Sequence, residues 1–312
     1  MTPSKVLLTD GLAQEGTELL RTRADVDDRA GISADQLATI IADYDALIVR
    51  SRTKVTAELL NDAYRLKVIG RAGVGVDNID LDAAKSHNMV VVNAPSATSV
   101  AVAELTMGLM LSLVREIPRA DGAMKNGQWL KKELEGGELA GKTLGILGFG
   151  RIGSEVAKRA LAFDMQIIAC DPRKSDVASR LPVERVSLDE LLARSDLLTI
   201  HTPLNAETRG LFNSPTLEKM KPGAYLLCAA RGGIIVEADL LRTLESGHLA
   251  GAALDVYEHE PPENNPLVLH PKVICTPHIG AQTQEAQRRS ALDIAGEVLA
   301  ALEGKNLRWR VA

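Results

Sequence analysis

The stretch Lys142-Thr143-Leu144-Gly145-Ile146-Leu147-Gly148-Phe149-Gly150-Arg151-Ile152-Gly153 decides how this chain folds. Thr143 to Leu147 predicts a short buried strand, and Gly148 to Gly153 spell G-x-G-x-x-G. Ser154 to Phe163 follows with apolar residues at helical spacing: Val156, Ala157, Ala160 and Leu161. A second apolar strand, Met165 to Cys170, ends on Asp171. A strand, a tight glycine turn, a helix and a second strand ending in an acid make the dinucleotide-binding βαβ unit. Gly148 permits the sharp turn, Gly150 lets the backbone approach a pyrophosphate, and Gly153 lets helix and strand pack closely. The helix N-terminus presents N–H groups to the phosphates. Asp171 can accept hydrogen bonds from two ribose hydroxyls. Its charge also stands where a 2′-phosphate would sit, so NAD is expected over NADP, with nearby Arg173 weakening that preference slightly.

The 312 residues suggest about two domains. With 46% hydrophobic and 25% charged residues the chain can bury a full core. A net charge of −5 and only 3% aromatic residues argue against a nucleic-acid surface. No apolar run is long enough to span a bilayer. Met1 to Lys5 leads directly into a strand and does not read as a signal peptide. Cys170, Cys228 and Cys275 sit in or beside apolar strand-like runs without metal spacing. They are expected to be reduced core thiols of a cytoplasmic protein that carries no metal.

Before the glycine turn, strands are expected at Lys5–Thr9, Ala46–Val49, Leu66–Gly70 and Met89–Val92. Helices are expected at Gly11–Arg21, from the capping box Ser33-Ala-Asp-Gln36 to about Ala42, at Thr56–Tyr64 and at Leu81–Ser86. Ser99 to Ile117 is apolar with few breaks and predicts a buried helix at a subunit interface, with Pro118 at its C-terminal end. From about Arg119 to Gly141 a long polar arm lacks periodicity. After the turn, strands Asp196–Ile200, Ala224–Cys228, Ala250–Leu254 and Val273–Thr276 alternate with helices. One of those helices is capped by Ser187-Leu-Asp-Glu190, and a last helix spans about Gln282 to Leu302. The fold class is therefore α/β, with a six- or seven-stranded parallel sheet in the second half.

In open parallel sheets, ligands bind beyond the carboxyl ends of the strands. Asp171, His201, Thr202, Arg231, Asp255, Glu260 and His278 collect there. An arginine fork can hold a carboxylate in two places. A histidine can exchange a proton near neutral pH, and a paired carboxylate favours its imidazolium form. Each residue also has a plainer reading. Arg231 could be a surface loop residue, His278 a strand cap, and Glu260 a solvated loop acid. His201 competes with His278, and histidines stand at 87, 248, 259 and 270 as well. Composition and spacing leave the choice open.

The runs Ala230-Arg231-Gly232-Gly233, Gly251-Ala-Ala-Leu-Asp255-Val-Tyr-Glu-His-Glu260-Pro-Pro and Thr276-Pro-His278-Ile-Gly-Ala281 resemble signatures of the D-isomer-specific 2-hydroxyacid dehydrogenases. Gly70-Arg-Ala-Gly-Val-Gly-Val-Asp-Asn78, Asn93-Ala-Pro, Ala103-Glu-Leu and Glu138 to Gly153 extend the resemblance over nearly the whole chain. It implies two doubly wound parallel-sheet domains, a Rossmann NAD-binding domain (99–281) inserted in a flavodoxin-like substrate domain (1–98 and 282–312), with a cleft between them. It implies hydride transfer between NAD and a D-2-hydroxy acid, with 3-phosphoglycerate the favoured substrate. Arg231 would hold the carboxylate and carbonyl, His278 would be the general acid/base, and Glu260 its partner. NAD would be contacted by Gly148, Gly150, Arg151, Ile152, Gly153, Asp171, His201, Thr202, Pro203, Ala229, Ala230, Asp255, Gly280 and Ala281. The acid would be contacted by Arg50, Ser51, Gly73, Val74 and Gly75 together with Arg231 and His278.

The resemblance further implies a homodimer or homotetramer, with the arm reaching the neighbouring subunit. Glyoxylate or hydroxypyruvate reduction is the alternative activity, and an NAD-sensing corepressor a more distant one. Three positions depart from the pattern. Cys228 replaces an Asn that many relatives carry three residues before the arginine. Lys131, two residues after Trp129, replaces an Arg, and Val74 replaces a Thr. Longer members continue into a serine-sensing regulatory domain, whereas this sequence ends at Ala312. Arg50, Arg52, Arg71, Arg231 and Lys131 are expected to make the site basic enough for a phosphorylated acid.

Overall fold

The computed structural model describes residues 3–172 and 181–312, so Met1, Thr2 and Arg173 lie outside the described residues. The chain divides into two compact units: one is formed by the chain up to Thr98 with Ala281–Ala312, the other by Ser99–Gly280.

The first unit is built on five parallel strands: β1 (Ser4–Leu8), β2 (Ala24–Asp28), β3 (Ala46–Val49), β4 (Val68–Arg71) and β5 (Val90–Asn93). Their order, β2-β1-β3-β4-β5, is the flavodoxin-like doubly wound order. β3 is buried at every residue, as a central parallel strand covered on both faces should be. β2 is absent from the sequence expectation. Its sequence Ala-Asp-Val-Asp-Asp lacks the apolar pattern of a buried strand. It forms because its backbone pairs with β1 alone, from Ser4↔Ala24 to Leu8↔Asp28. The first helix begins at Gln14 rather than Gly11. The expected capping box is formed, with Ser33 Oγ accepting from the Gln36 amide at 3.2 Å and Gln36 Oε1 accepting from the Ser33 amide at 3.3 Å.

The last helix, Gln284–Leu302, belongs to this first unit and begins with Thr283 as its cap. Its Ile294, Ala295, Val298 and Leu299 join Val6, Leu8, Leu20 and Val68 in one core. Beyond it the chain returns along β5. The Asn93 amide donates to the Trp309 carbonyl at 3.2 Å, and the Val311 amide donates to the Val91 carbonyl at 2.8 Å. Buried Glu297 fastens this tail by accepting from Arg308 Nε at 2.8 Å and from the Arg308 and Trp309 amides.

The second unit carries seven parallel strands: β6 (Thr143–Leu147), β7 (Gln166–Cys170), β8 (Glu184–Arg185), β9 (Leu197–Ile200), β10 (Tyr225–Cys228), β11 (Gly251–Leu254) and β12 (Val273–Cys275). The order β12-β11-β10-β9-β6-β7-β8 reverses between β6 and β9, which makes the crevice beyond β6 the topological switch point. Helix Ser99–Val114 buries Met107, Met110 and Leu113 against β6 and β10 residues. It does not run on to Ile117. Glu116 adopts φ 48°, and a second helix, Ile117–Lys125, starts with Pro118 in its first turn. A proline lacks an amide donor, so it suits the start of a helix, where that donor would have no partner. The arm is therefore helical as far as Lys125. No helix among the described residues is long and apolar enough to cross a membrane.

Candidate active site

The glycine turn closes β6 onto the helix Arg151–Leu161. Gly148 has φ 90° and donates to the Cys170 carbonyl at 2.9 Å. A Cβ there would lie 2.7 Å from the His201 carbonyl, so the turn fits only glycine. A Cβ on Gly153 would lie 2.3 Å from the Gly148 oxygen, whereas one on Gly150 would meet nothing within 4 Å. Gly150 thus faces open space at the helix N-terminus, ahead of Arg151 and Ile152. Asp171 Oδ2 accepts from the Phe149 amide at 2.7 Å, which orients the carboxylate at the mouth of the turn.

Next to the turn, His201 Nδ1 and Thr202 Oγ1 are shielded from solvent yet have no hydrogen-bond partner among the described residues. Buried polar atoms are seldom left so, and a ligand with donors and acceptors satisfies them. These residues fit NAD. Thr202 and Pro203 follow β9, Ala229 and Ala230 follow β10, Asp255 follows β11, and Gly280 closes the unit. Ala281, grouped with them from the sequence, is the first residue of the other unit's second segment.

The two strand-end histidines are not equivalent. Burial pushes the His201 pKa down to about 4, so its ring is neutral at pH 7; its Nε2 lies 3.0 Å from Thr199 Oγ1. His278 Nδ1 lies 2.7 Å from Glu260 Oε2. Burial alone would raise the Glu260 carboxyl. The His278 hydrogen bond and charge, the Tyr257 amide and the Arg231 charge outweigh it and hold Glu260 below the usual glutamate range. The pair therefore combines an ionised carboxylate with a ring whose Nε2 is left to exchange a proton.

His278 itself sits at φ 52°. A non-glycine residue there must be held in place by its surroundings. Asp255, only 1% exposed, does the holding: it accepts from Thr276 Oγ1 at 2.6 Å, from the Ile279 amide at 2.8 Å and from the Gly280 amide at 2.8 Å. The sequence places Asp255 among the cofactor contacts; the geometry shows a clamp on the loop that presents His278. Arg231 Nη1 donates to the Ala230 carbonyl at 2.7 Å, and its charge reaches Glu260. Cys228 is buried, its thiol pushed up to about 11 by that burial, and its Sγ lies 3.7 Å from the Arg231 carbonyl. The thiol thus touches the backbone of the arginine loop rather than any reacting group.

In the first unit, Arg50 and Ser51 follow β3, and Gly73, Val74 and Gly75 follow β4. The Val74 and Gly75 amides meet no acceptor among the described residues. Arg52 does not serve as the free cation expected of it. It pairs with Asp10 at 3.0 Å and donates to the carbonyls of Ile32 and Thr9 at 2.9 and 2.5 Å. Arg71 Nη1 donates to the Ala72 carbonyl at 2.6 Å.

Residues 107–280 match the family model described as the D-isomer specific 2-hydroxyacid dehydrogenase NAD binding domain. The chain belongs to the D-isomer specific 2-hydroxyacid dehydrogenases. This family member is 46% identical over 303 residues to D-3-phosphoglycerate dehydrogenase of Methanocaldococcus jannaschii, covering 96% of this chain and 58% of that protein. It is 47% identical over 305 residues to the Bacillus subtilis D-3-phosphoglycerate dehydrogenase, covering 96% and 57%. It thus spans less than two thirds of the length of these relatives. Among solved structures, a glyoxylate reductase from Paecilomyes thermophila superposes with TM-score 0.91 at 33% identity, covering 100% of this chain and 99% of that one. The TT0316 protein from Thermus thermophilus superposes with TM-score 0.92 at 36% identity, covering 99% and 100%.

Proposed function

We propose that this 2-hydroxyacid dehydrogenase oxidises D-3-phosphoglycerate to 3-phosphohydroxypyruvate with NAD, in the cytoplasm, as a step toward serine. The observation that carries the chemistry is the 2.7 Å contact between His278 Nδ1 and Glu260 Oε2, at the carboxyl ends of parallel strands. The two relatives reported above, both D-3-phosphoglycerate dehydrogenases, support the choice of substrate. NAD, held by Gly150, Arg151, Ile152 and Asp171, would supply the acceptor for the hydride on the carbon bearing the hydroxyl. His278 Nε2 takes the hydroxyl proton, and Glu260 stabilises the imidazolium that results. Arg231 holds the carboxylate and the developing carbonyl with its planar fork. The Val74 and Gly75 amides, with Arg50 and Ser51, are the first unit's proposed contacts to the acid.

Absorbance at the NADH wavelength tests this directly. Oxidation of 3-phosphoglycerate should exceed that of glycerate and lactate. Its KM should rise with salt, because exposed charge pairs are screened within about 10 Å at 0.1 M. Efficient reduction of glyoxylate or hydroxypyruvate with no turnover of the phosphorylated acid would install the second reading, which the glyoxylate reductase neighbour favours.

Asp171 is proposed to hold the adenosine ribose. Asp171→Ala should then cut the preference for NAD over NADP about tenfold or more, since removing the carboxylate removes both ribose acceptors and a like charge. Equal kcat/KM for the two cofactors in the unaltered enzyme would remove the basis of that role. The helix pair Ser99–Val114 and Ile117–Lys125, with Trp129 and Met124 exposed at 76% and 56%, is proposed as a two-fold dimer surface. A monomer in sedimentation at micromolar concentration would rule it out.

A further inference from the structure

Two asparagines outside the reacting groups stand under the loops assigned to the acid. The first loop, residues 50–53, is held from below by Asp10, whose side chain is 4% exposed. Asp10 Oδ2 accepts from the Arg50 amide at 2.7 Å and from the Thr53 amide at 3.2 Å. It is closed from the other side by Asn78, whose single carboxamide nitrogen donates to the Arg50 carbonyl at 2.9 Å and to the Thr53 carbonyl at 2.6 Å. The Asn78 backbone carbonyl accepts from the Val55 amide at 2.8 Å.

The second loop carries the Val74 and Gly75 amides and is held by Asn93, whose Nδ2 donates to the Val74 carbonyl at 2.7 Å. The next residue continues the grip, with the Ala94 amide donating to the Gly73 carbonyl at 2.9 Å. Asn93 is in turn fixed by the C-terminal tail, through its amide on the Trp309 carbonyl. Turning the Val74 carbonyl toward Asn93 directs the following amide, that of Gly75, the opposite way, because carbonyl and amide of one peptide unit point in opposite directions.

We propose that Asn78 and Asn93 are positioning residues that set the affinity for the acid: Asn93 aims the Val74–Gly75 amides, and Asn78 fixes Arg50 and Ser51 beside them. The proposal deepens the substrate reading above and rests on it. Neither carboxamide touches a reacting atom, so both should act on substrate binding and leave hydride transfer alone. A carboxamide is required because only a donor can meet these carbonyls; a carboxylate of the same shape would repel them.

The test compares Asn93→Asp and Asn78→Asp with the unaltered chain, reading KM for 3-phosphoglycerate, kcat, the Kd for NADH and the melting temperature. Asn93→Ala is the fallback should the charged variant fail to fold. KM should rise about tenfold or more in each variant, the scale of a lost hydrogen bond with its acceptor left unpaired (one for Asn93, two for Asn78), while kcat stays within about twofold and the Kd for NADH is unchanged. Val74→Trp serves as the control for the loop itself, since that side chain is exposed. If Val74→Trp raises KM and the asparagine variants do not, the positioning role is wrong and the substrate reading stands. If all of them leave KM unchanged, the loop does not bind the acid, and the reading falls with the proposal. A fall in kcat, or in NADH affinity, at constant KM would assign the asparagines to general stability and overturn the inference. Should 3-phosphoglycerate be inert, the same constants are read from hydroxypyruvate reduction.

Discussion

His278→Ala should lower kcat by about 100-fold or more, the usual loss when a general acid/base is removed, while the Kd for NADH stays close to that of the parent. His201, the second strand-end histidine, is kept neutral by burial, with a pKa near 4, and has no carboxylate beside it. Near-normal turnover in His278→Ala would move the proton to another residue and make His201 the first to test. The partner variant separates the two roles. With Glu260 held below the usual glutamate range, its charge is present across neutral pH, and any stability it adds is lost only as pH falls through its lowered value. Glu260→Gln should therefore change the pH profile of kcat for oxidation more than it changes KM. An unshifted profile would show that the pair is not coupled.

Gly232→Ala should be equally damaging although it removes no functional group. A Cβ at position 232 would lie 1.6 Å from the Tyr257 carbonyl oxygen and 2.3 Å from its carbon. Both atoms are backbone, so no side-chain rotation relieves the overlap. The loop carrying Arg231 and the loop leading to Glu260 must part to admit the methyl group. Displacing a positioning arginine by about 1 Å is enough to cost roughly 100-fold in rate, and kcat/KM should fall by at least about that much. Forced overpacking of this kind also destabilises by about 1–3 kcal/mol, so the melting temperature should drop as well. A Gly232→Ala protein with parental kcat/KM would mean the loops are free to separate without consequence.

Much of this site is legible in the sequence because local chemistry and global fold agree there. The G-x-G-x-x-G turn, the capping boxes at Ser33 and Ser187, and the strand-end positions of Arg231 and His278 all follow from residues close together in the chain. What the sequence hides is decided by partners far away. β2 reads as an acidic loop until β1 supplies its backbone partner. The glycine at 232 looks like turn chemistry, yet its requirement comes from Tyr257, in another loop. Asp255 is visible as a strand-end acid, but its function as a clamp depends on the Ile279 and Gly280 amides meeting it in space. Arg52 looks like free positive charge because nothing near it in sequence announces that Asp10, Thr9 and Ile32 will engage it.

The five-stranded sheet ends on two strands that would otherwise be open to pairing with a foreign chain. On one side the protein's own C-terminal residues lie along β5 and occupy its free backbone groups. On the other, β2 carries Asp25, Asp27 and Asp28 in a row of five residues. An incoming strand would have to lay its backbone beside that cluster of negative charge, a device that keeps sheet edges from aggregating. Asp27 is held below the usual carboxylate range by hydrogen bonds from Arg29 and then Tyr44, so its share of the guard persists into mildly acidic solution. The residues that make β2 so hard to read as a strand are thus the ones that let it stand at the open edge of a sheet.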